Sequence, residues 1–444
     1  MLVPSSKLLF WSAAIVLPFA LIGAVAPAAV AVSLGFIGGF LLVAIADAAG
    51  ARNKLAGIGV ELPPVMRMSK DREWKLEMRI RNESQRPRNL RLALAWPSGI
   101  EPDKDEVETR LPSGSEWSRL AWVCRPLKRG NYQLSTAFVE TLSPLGFWLV
   151  RAKLPVQSEI RVYPNLHTER KNLAALFLNR GAFGLHAHRQ VGKGRDFEKL
   201  REYTPGDSYD EIHWKATARR GRPVTKVFQI EKTQEVYVIV DASRLSARET
   251  GQAAEAKTAL EGFVTAALVL GLAAEQQGDL FGLLTFTDRV EKFVRAKNGQ
   301  SHYSVCRDAL YTLEPKIVTP DFDELCTFIR LRLRRRSLLV FLTALDDPAI
   351  AENFVRNIGL LRGQHLVLVN MLQPAGVMPM FANPEIGGLD DIYRQLGGHF
   401  RWRNLRELQK TLQRQGVQFS LLGNENLCAE LVSQYLSVKQ RQLL

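Results

Sequence analysis

The chain has 444 residues, of which 46% are hydrophobic and 23% are charged, and its formal net charge is +14 at pH 7. This length allows two or three domains, and this composition argues against long disordered regions. The positive charge suits a protein near anionic lipid or acidic partners. It also suits a nucleic-acid binder, so charge alone does not identify the partner.

Two apolar stretches without charge, residues 8–26 and 28–46, open the chain. Each has roughly the 20 residues that a helix needs to cross about 30 Å of hydrocarbon. Pro27 lies between them and predicts a tight turn, so residues 8–47 are predicted to form two transmembrane helices. The first stretch is too long for the apolar core of a signal peptide, and a second span follows at once, which argues against cleavage.

Cations flank this hairpin, because Lys7 precedes the first stretch and Arg52 and Lys54 follow the second, whereas the turn carries none. The positive-inside rule then places both the N- and the C-terminus in the cytoplasm. A third apolar run, residues 262–274, is too short to span a membrane and lies between two glutamates. It is predicted to be a buried helix.

The sequence changes to a period of two over residues 60–165. Apolar side chains alternate with polar ones at residues 74–81, 90–96 and 132–138, where Tyr132, Leu134 and Phe138 share one face. Turn residues separate these runs, which is typical of a small antiparallel β-sandwich. The region contains no nucleophile–base pair and no metal-ligand cluster, so we interpret it as an interaction or spacer domain.

Strands alternate with helices over residues 234–444, which predicts a parallel α/β sheet covered on both faces. The predicted strands are residues 236–240, 280–286, 338–342 and 365–371. The predicted helices are residues 253–277, 322–335, 349–361 and 426–440. Sites in such sheets lie at the carboxyl ends of strands. The polar residues that follow the strands are Asp241, Ser243, Thr287, Asp288, Thr343 and Asp346.

Two further features have more than one interpretation. The basic run Arg332, Arg334, Arg335 and Arg336 suits phosphate or nucleic acid, but cations at a helix C-terminus complement the helix dipole, and we favour that interpretation. The four cysteines form no CxxC pair and have no zinc-ligand spacing, which predicts buried thiols in a reducing compartment. They are Cys124, Cys306, Cys326 and Cys428.

Residues 184–220 are dense in glycine, charge and aromatic side chains. The segment is not a phosphate-binding Walker loop, because Gly194 stands where serine or threonine is needed. His186 and His188 lack a third metal ligand at suitable spacing. The charged residues of this segment are instead candidates for a polar network that holds it against the sheet. They are Glu198, Arg201, Glu202, Asp207, Asp210 and Arg219.

This segment resembles the signature of the DUF58 family. The matching residues are Gly192, Gly194, Asp196, Phe197, Leu200, Arg201, Glu202, Tyr203, Pro205, Gly206, Asp207, Ile212, Trp214, Ala216 and Arg219. Residues 128–130, 144–147 and 162–164 resemble the family's β-rich region. Two positions depart from the pattern, since Asp196 replaces the usual glutamate and His213 replaces the usual aspartate before the tryptophan.

The resemblance implies an architecture and a location. The family has two spans, a β-rich domain (here residues 60–165), the signature segment (residues 180–233) and a von Willebrand A-like domain (residues 234–444). It implies a protein of the bacterial inner membrane. The expected fold is therefore multidomain, with a transmembrane hairpin, a β-sandwich-like domain and an α/β Rossmann-type domain.

The resemblance also implies a magnesium site. A von Willebrand A-like domain often holds Mg²⁺ with a D-x-S-x-S motif after its first strand, a threonine and an aspartate from later loops, and one position open for a partner's acidic group. Asp241 and Ser243 match the motif, and Thr319 is the candidate threonine. Leu245 and Ala344 stand where further ligands belong, so the site is partly degraded. Alternatively, Asp241 and Ser243 cap a turn.

Three functions remain open. The resemblance implies a non-enzymatic adaptor or scaffold that works with a MoxR-type AAA+ ATPase in protein-complex assembly or cell-envelope processes, and we prefer this hypothesis. The second is an enzyme that uses Glu198, Asp207 and His213 of the signature segment, although no spacing fixes a catalytic geometry and no catalytic residue is assigned. The third is nucleic-acid binding, which the core-like spacing of the aromatics disfavours.

Overall fold

The computed structural model describes residues 1–167, 169–174, 191–205, 207–229, 234–250, 257–380, 382 and 388–441. The chain divides into an N-terminal unit, Met1–Asn165, and a C-terminal unit, Leu166–Leu444. The first contains an apolar helical hairpin and a β-sandwich, and the second is an α/β unit, so the predicted multidomain fold is confirmed.

The hairpin consists of α1 (Ser6–Val25) and α2 (Val30–Ala51), joined by a 3₁₀ turn at Pro27–Ala29. The Ser5 hydroxyl begins α1 by accepting a hydrogen bond from the Leu8 N–H at 3.3 Å. Both helices are long and apolar enough to span a membrane, with mean hydropathies of 2.3 and 2.4. Their leucine, valine and phenylalanine side chains are exposed, as expected for helices whose solvent is lipid.

Two sheets pack face to face in the rest of the N-terminal unit. One sheet has the order β1–β10–β9–β5–β7, and β3 pairs with the other end of β10 on the same edge as β1. The second sheet has the order β2–β4–β8–β6. The strands are β1 (Leu2–Pro4), β2 (Ile58–Glu61), β3 (Val65–Ser69), β4 (Trp74–Asn82), β5 (Arg88–Leu94), β6 (Ile100–Pro102), β7 (Glu106–Leu111), β8 (Trp117–Pro126), β9 (Gly130–Leu142) and β10 (Trp148–Tyr163). Pairing is antiparallel except between β3 and β10, which run parallel.

Alternating side chains of both sheets form the core between them, among them Leu76, Met78, Leu90, Leu92 and Ile160. The predicted inner face of β9 is wrong at Phe138, which is 38% exposed, whereas Leu134, Ala137 and Val139 are buried. The pairing of β9 with β10 is irregular here, because Thr136 pairs with Pro155 whereas Leu134 pairs with Ser158. Such an irregularity interrupts the alternation of inward and outward side chains along β9.

The C-terminal unit begins with a hairpin and continues into a six-stranded sheet. The strands are β11 (Val191–Glu202), β12 (Val224–Gln229), β13 (Glu235–Asp241), β14 (Glu249–Thr250), β15 (Lys257–Thr258), β16 (Leu280–Phe286), β17 (Val290–Lys297), β18 (Leu338–Leu342), β19 (Leu366–Leu372) and β20 (Gln418–Leu422). The helices are α3 (Trp214–Arg220), α4 (Ala259–Gln276), α5 (Gln300–Leu310), α6 (Phe322–Arg332), α7 (Pro348–Ile358), α8 (Leu389–Arg414) and α9 (Leu427–Gln440).

The large sheet has the order β17–β16–β13–β18–β19–β20. This is the 3-2-1-4-5-6 order of a doubly wound fold. Successive strands are added on one side of β13 up to β17 and on its other side from β18 onward, so the strand order reverses between the parallel neighbours β13 and β18. The predicted all-parallel sheet is wrong at one edge, because β17 pairs antiparallel with β16. A loop of only three residues joins these two strands, which is too short for the crossover that a parallel pair needs.

Apolar side chains cover both faces of the sheet. The helix α4 packs on one face, where Phe263, Ala267 and Leu270 are fully buried. It is also long and apolar enough to span a membrane, but 67% of it is buried in the unit, so the predicted buried helix is confirmed. All four cysteines are buried as well. Burial raises the pKa of Cys124 to about 11 and that of Cys306 to about 12, which keeps both as thiols.

Several predicted boundaries shift. The helix predicted to start at residue 253 begins at Ala259 in the described part of the chain. The helix predicted to end at residue 335 ends at Arg332, because Leu333 is extended. Of the predicted basic run, only Arg332 therefore lies in the last helical turn, and the other three arginines lie in the loop before β18. The sequence pattern predicted neither α8 nor β20.

Candidate functional site

Asp241 lies at the reversal point of the sheet, as the last residue of β13, and its side chain is fully buried. Its Oδ2 accepts a hydrogen bond from the Thr343 hydroxyl at 2.6 Å, and its Oδ1 accepts from the Ser243 N–H at 2.8 Å. Burial raises the pKa of Asp241, and these hydrogen bonds oppose that shift. The carboxylate thus joins the ends of two neighbouring strands.

The residues after Asp241 form a tight turn. The bond from the Ser243 N–H to the Asp241 carboxylate spans two residues, as in an Asx-turn. The Ser246 hydroxyl donates to the Ser243 carbonyl at 2.8 Å, which closes the next turn. Leu245 points into the hydrophobic core and is buried with it. This geometry matches the turn-capping alternative for Asp241 and Ser243.

Thr319 lies in a loop beside this turn. The Arg244 N–H donates to the Val318 carbonyl at 3.0 Å, and the Lys316 N–H donates to the Ala242 carbonyl at 2.8 Å. These bonds bring the two backbones together, but Thr319 is exposed to solvent whereas Asp241 is buried. The two loops therefore lie side by side, with Thr319 exposed and Asp241 buried.

The acidic residues after β18 are paired with arginines. Asp346 forms an ion pair with Arg248, and Asp347 lies 3.9 Å from Arg244. Within the described residues, no three histidine, cysteine, aspartate or glutamate side chains group closely enough to hold a metal ion. Mg²⁺ requires a near-octahedral set of oxygen ligands. Here both Asp241 carboxylate oxygens accept hydrogen bonds from the protein, and the Leu245 and Ala344 side chains have no oxygen that could bind a metal. These residues do not fit Mg²⁺.

The signature segment forms a hairpin and a short helix. The strand β11 contains Gly192 and Gly194, and it pairs with β12 so that Asp196 lies opposite Gln229 and Phe197 opposite Phe228. Leu200 and Arg201 continue this ladder to Glu202, which lies opposite Val224. Gly206 and the side chains of residues 191–199, Glu198 among them, lie outside the described part of the structure.

Asp207 holds the turn that follows β11, in the P-G-D part of the signature. It lies 2.5 Å from the Arg201 guanidinium and accepts hydrogen bonds from the Thr204 N–H at 3.1 Å and the Thr204 hydroxyl at 3.2 Å. The hydrogen bond from the Thr204 backbone, and then those from the Thr204 and Arg201 side chains, hold the pKa of Asp207 below its usual value. The carboxylate is therefore a structural acceptor.

The rest of the predicted polar network is smaller than expected. Glu202 pairs with Arg222, at 2.8 Å, rather than with another member of the predicted set. Asp210 and Arg219 are exposed, and Pro205 lies in the exposed turn. Ile212 is buried and bridges to Thr225 of β12, which fixes the start of α3 against the hairpin. The signature thus combines one buried anchor with a solvated outer face.

His213 is the N-cap residue of α3. The imidazole Nδ1 of His213 accepts a hydrogen bond from the Ala216 N–H at 3.0 Å, and the backbone N–H of His213 donates to the Val224 carbonyl at 2.7 Å. Aspartate, which is usual at this position in the family, is a strong N-cap residue because its carboxylate accepts from the same donors. His213 therefore replaces the aspartate in the same structural role, although the sequence analysis considered it as an acid or base.

This role gives a test. We expect His213→Ala to lower the local stability of α3 by about 1 kcal/mol, because the Ala216 N–H loses its side-chain acceptor and keeps only the His213 carbonyl, at 2.9 Å. Amide hydrogen exchange of residues 214–220, measured by mass spectrometry, should become about fivefold faster. The matched control His213→Asp should keep the protection of the original protein. Unchanged exchange in His213→Ala would contradict the capping role.

Two large aromatic rings of this segment face solvent. Trp214 is 70% exposed and Tyr209 is 75% exposed, and the ring of Tyr209 stacks on that of Tyr203 at 6.0 Å. Lys215, Arg219 and Arg220 are exposed on the same short helix. We call Tyr209, Trp214, Lys215 and Arg219 the Trp214 surface. Trp214 belongs to the signature motif, whereas no motif or periodic pattern in the sequence marks Tyr209 as an exposed residue.

The chain is similar to one described protein family and to several solved structures. The family described as "Protein of unknown function DUF58" matches residues 199–380, from the end of β11 past β19. No curated protein matches the chain. Among solved structures, BatB from Bacteroides thetaiotaomicron is 14% identical, covering 47% of this chain and 99% of its own, with a TM-score of 0.31.

Two further structures are similar at this level. An aerotolerance-related membrane protein from Bacteroides fragilis NCTC 9343 is 16% identical, covering 46% of this chain and 98% of its own, with a TM-score of 0.30. The SpRpn10 VWA domain is 9% identical, covering 46% of this chain and 95% of its own, with a TM-score of 0.30. The resemblance noted in the sequence is confirmed by the family match, and the chain carries a DUF58 region over residues 199–380.

Proposed function

We propose that this protein is a membrane-anchored, non-enzymatic adaptor whose C-terminal unit binds a protein partner at the Trp214 surface. The partner that the family resemblance implies is a MoxR-type AAA+ ATPase acting in protein-complex assembly or the cell envelope. The hairpin fixes the complex at the membrane. Three observations support this proposal: the apolar hairpin, the exposed aromatic surface, and a metal-site remnant whose ligands are engaged within the protein.

The Trp214 surface carries the proposal. Large aromatic side chains are enriched at the centres of protein interfaces, where a partner covers them and removes their apolar area from water. Trp214 and Tyr209 expose such area on a segment that the buried Ile212 and the Asp207 turn hold in place. Lys215 and Arg219 are exposed on the same short helix as Trp214 and add positive charge there, which suits an acidic surface on the partner.

The flanking cations support a cytoplasmic location for the partner. Lys7, Arg52 and Lys54 lie at the same end of the hairpin, where α1 begins and α2 ends. Lysine and arginine accumulate on the cytoplasmic side of membrane helices. We therefore propose that both soluble parts of the chain lie in the cytoplasm and the hairpin in the bacterial inner membrane, where a soluble ATPase would have access to the C-terminal unit.

The enzyme hypothesis has less support from the geometry. Asp207 is held by Thr204 and Arg201, and the Nδ1 of His213 accepts a helical N–H. A general acid or base must reach a substrate proton, and these atoms already have partners in the fold. Glu198 belongs to the side chains outside the described part of the structure.

The proposal predicts the effect of one substitution. We expect Trp214→Ala to reduce binding of a purified MoxR-type ATPase from the same organism by at least about 10-fold, because an interface tryptophan carries about 2 kcal/mol or more. The full chain would be immobilised in detergent micelles, and bound ATPase quantified over a concentration series. Trp117→Ala, at an exposed tryptophan of the β-sandwich, is the matched control and should bind as the original protein does.

Two further arms make the result specific. Binding should persist in EDTA and in Asp241→Asn, since the residues at Asp241 do not fit Mg²⁺. Binding that requires both Mg²⁺ and Asp241 would show a metal-dependent adaptor instead. Absence of ATPase binding under every condition would contradict the assignment of the partner.

A further inference from the structure

The loop between β9 and β10, residues 143–147, contacts α2 through Asp47. We call this segment the clasp loop. The Asp47 carboxylate is buried and accepts three hydrogen bonds: from the Ser143 hydroxyl at 2.5 Å, from the Leu145 N–H at 2.9 Å and from the Phe147 N–H at 3.2 Å. A carboxylate at the end of an apolar helix is costly unless its oxygens are satisfied in this way.

The clasp loop also holds the start of α1. The Ser5 hydroxyl donates to the Gly146 carbonyl at 2.6 Å, and the Ser5 N–H donates to the Phe147 carbonyl at 2.9 Å. Just before Ser5, the strand β1 pairs with residues 148–150 of β10. One loop of the β-sandwich therefore binds the same end of both helices.

The loop reaches along α2 beyond Asp47, toward the middle of the hairpin. The Trp148 indole N–H donates to the Ala44 carbonyl at 2.8 Å, and the Phe147 ring lies 6.0 Å from the Phe40 ring. Seven residues separate Phe40 from Asp47, which is about 10 Å along a helix. Phe147 therefore lies beside the uncharged part of α2.

Non-helical backbone tolerates membrane depth only where its polar groups are bonded within the protein. The N–H groups of the clasp loop and most of its carbonyls meet this condition. Its Leu145 and Phe147 N–H groups bond to Asp47, its Gly146 N–H bonds to the Ser143 carbonyl at 3.1 Å, and its Gly146 and Phe147 carbonyls accept from Ser5. The Leu145 side chain, in contrast, is 56% exposed and touches no core.

We propose that the clasp loop is a third, non-helical membrane contact, which places Leu145 and Phe147 at the boundary between phospholipid headgroups and acyl chains. Continuity with the hairpin identifies the occupant as the lipid bilayer, because Phe147 already lies beside apolar residues of α2. Lys7, Arg52 and Lys54 surround the same level and favour anionic headgroups. This inference rests on the proposed membrane anchoring, and it adds that the β-sandwich is held against the bilayer at a fixed depth.

Depth-dependent fluorescence quenching tests the contact. Leu145→Cys would be labelled with bimane in the full chain, whose own four cysteines are buried. The labelled protein would be reconstituted into vesicles of phosphatidylcholine and phosphatidylglycerol that contain acyl-chain nitroxide quenchers at a shallow or a deep carbon. We expect shallow quenchers to reduce the fluorescence at residue 145 at least twofold more than deep ones do.

Two controls separate the possible outcomes. Leu127 lies in the turn that precedes β9, beyond the end of this 13-residue strand that is about 40 Å from the clasp loop, so a label on Leu127→Cys should not be quenched. Leu21→Cys lies near the turn of the hairpin, exposed on α1, and should be quenched in the vesicles. Quenching at residue 21 without quenching at residue 145 would overturn the clasp-loop contact and leave the anchor intact. Absence of quenching at both would overturn the anchoring itself.

A final arm tests Asp47. Asp47→Ala removes the acceptor of three hydrogen bonds, so we expect it to reduce the shallow quenching at residue 145 while leaving residue 21 unchanged. Equal quenching at residue 145 with and without Asp47 would show that this carboxylate does not hold the loop at the membrane, and would overturn that part of the inference.

Discussion

Asp279→Ala is expected to lower the free energy of unfolding of the C-terminal unit by about 3–5 kcal/mol. Asp279 precedes β16 and is fully buried. Its Oδ2 accepts from the Tyr435 hydroxyl and from the Lys439 ammonium at 2.8 Å, and its Oδ1 accepts from the Gln234 N–H at 3.0 Å. The substitution leaves these donors without their acceptor and loosens α9 from the sheet.

Urea unfolding of the full chain in detergent, together with hydrogen exchange of residues 427–440, would measure this effect. Asp308→Ala is the matched control, because Asp308 is exposed and lies 3.4 Å from Arg307. Removing such a surface pair should cost less than about 1 kcal/mol. If Asp279→Ala destabilised the unit no more than Asp308→Ala does, the buried network would not secure α9.

Asp241→Ala is expected to destabilise the C-terminal unit by about 2–4 kcal/mol, because the Thr343 hydroxyl and the Ser243 N–H lose their acceptor in a buried position. The loss should be the same with Mg²⁺ or EDTA, since a ligand stabilises a protein only where it binds the folded state. Thermal unfolding followed by circular dichroism would measure it. A midpoint that Mg²⁺ raises in the original protein, but not in Asp241→Ala, would restore the metal-site hypothesis.

Asp241 also predicts a pH dependence. Burial raises its pKa in the folded state above the value of about 3.9 expected in the unfolded chain. The unfolded chain therefore releases this proton first as pH rises, so this contribution to stability is fully present below about pH 4 and is lost as pH rises through the folded pKa. Asp241→Asn lacks this titration. The difference in unfolding free energy between the two proteins should change in Asp241→Asn's favour as pH rises, and a constant difference would contradict the prediction.

The hairpin and the main strands could be predicted because their patterns are physical requirements. A membrane-spanning helix needs about 20 apolar residues, and a half-buried strand needs alternation. The patterns fail where pairing decides the outcome. Phe138 faces outward because the pairing of β9 with β10 is irregular between Leu134 and Thr136. The helix α8 was missed because Gly397 and Gly398 and many charges obscure its apolar side, at which only residues such as Leu405 and Leu412 are buried.

The position of the candidate site could be predicted from the sequence, but the hydrogen-bond partners of its side chains could not. The D-x-S motif after a buried strand locates Asp241 and Ser243 at the carboxyl edge of the sheet. That Thr343 bonds to Asp241 depends on the pairing of β13 with β18, which lie about 100 residues apart in the chain. The role of His213 likewise depends on where α3 begins. Spacing alone does not distinguish an N-cap residue from a general base.

The clasp loop also imposes an order on biosynthesis. Asp47 and Ser143 are 96 residues apart, and at about 5–20 residues per second the ribosome needs about 5–20 s to make that stretch. During this time the newly made hairpin carries a carboxylate whose three donors do not yet exist. The contact of α2 with the clasp loop can therefore form only after β9 and the start of β10 have emerged. We expect the final position of the hairpin to depend, for this reason, on the folding of the β-sandwich.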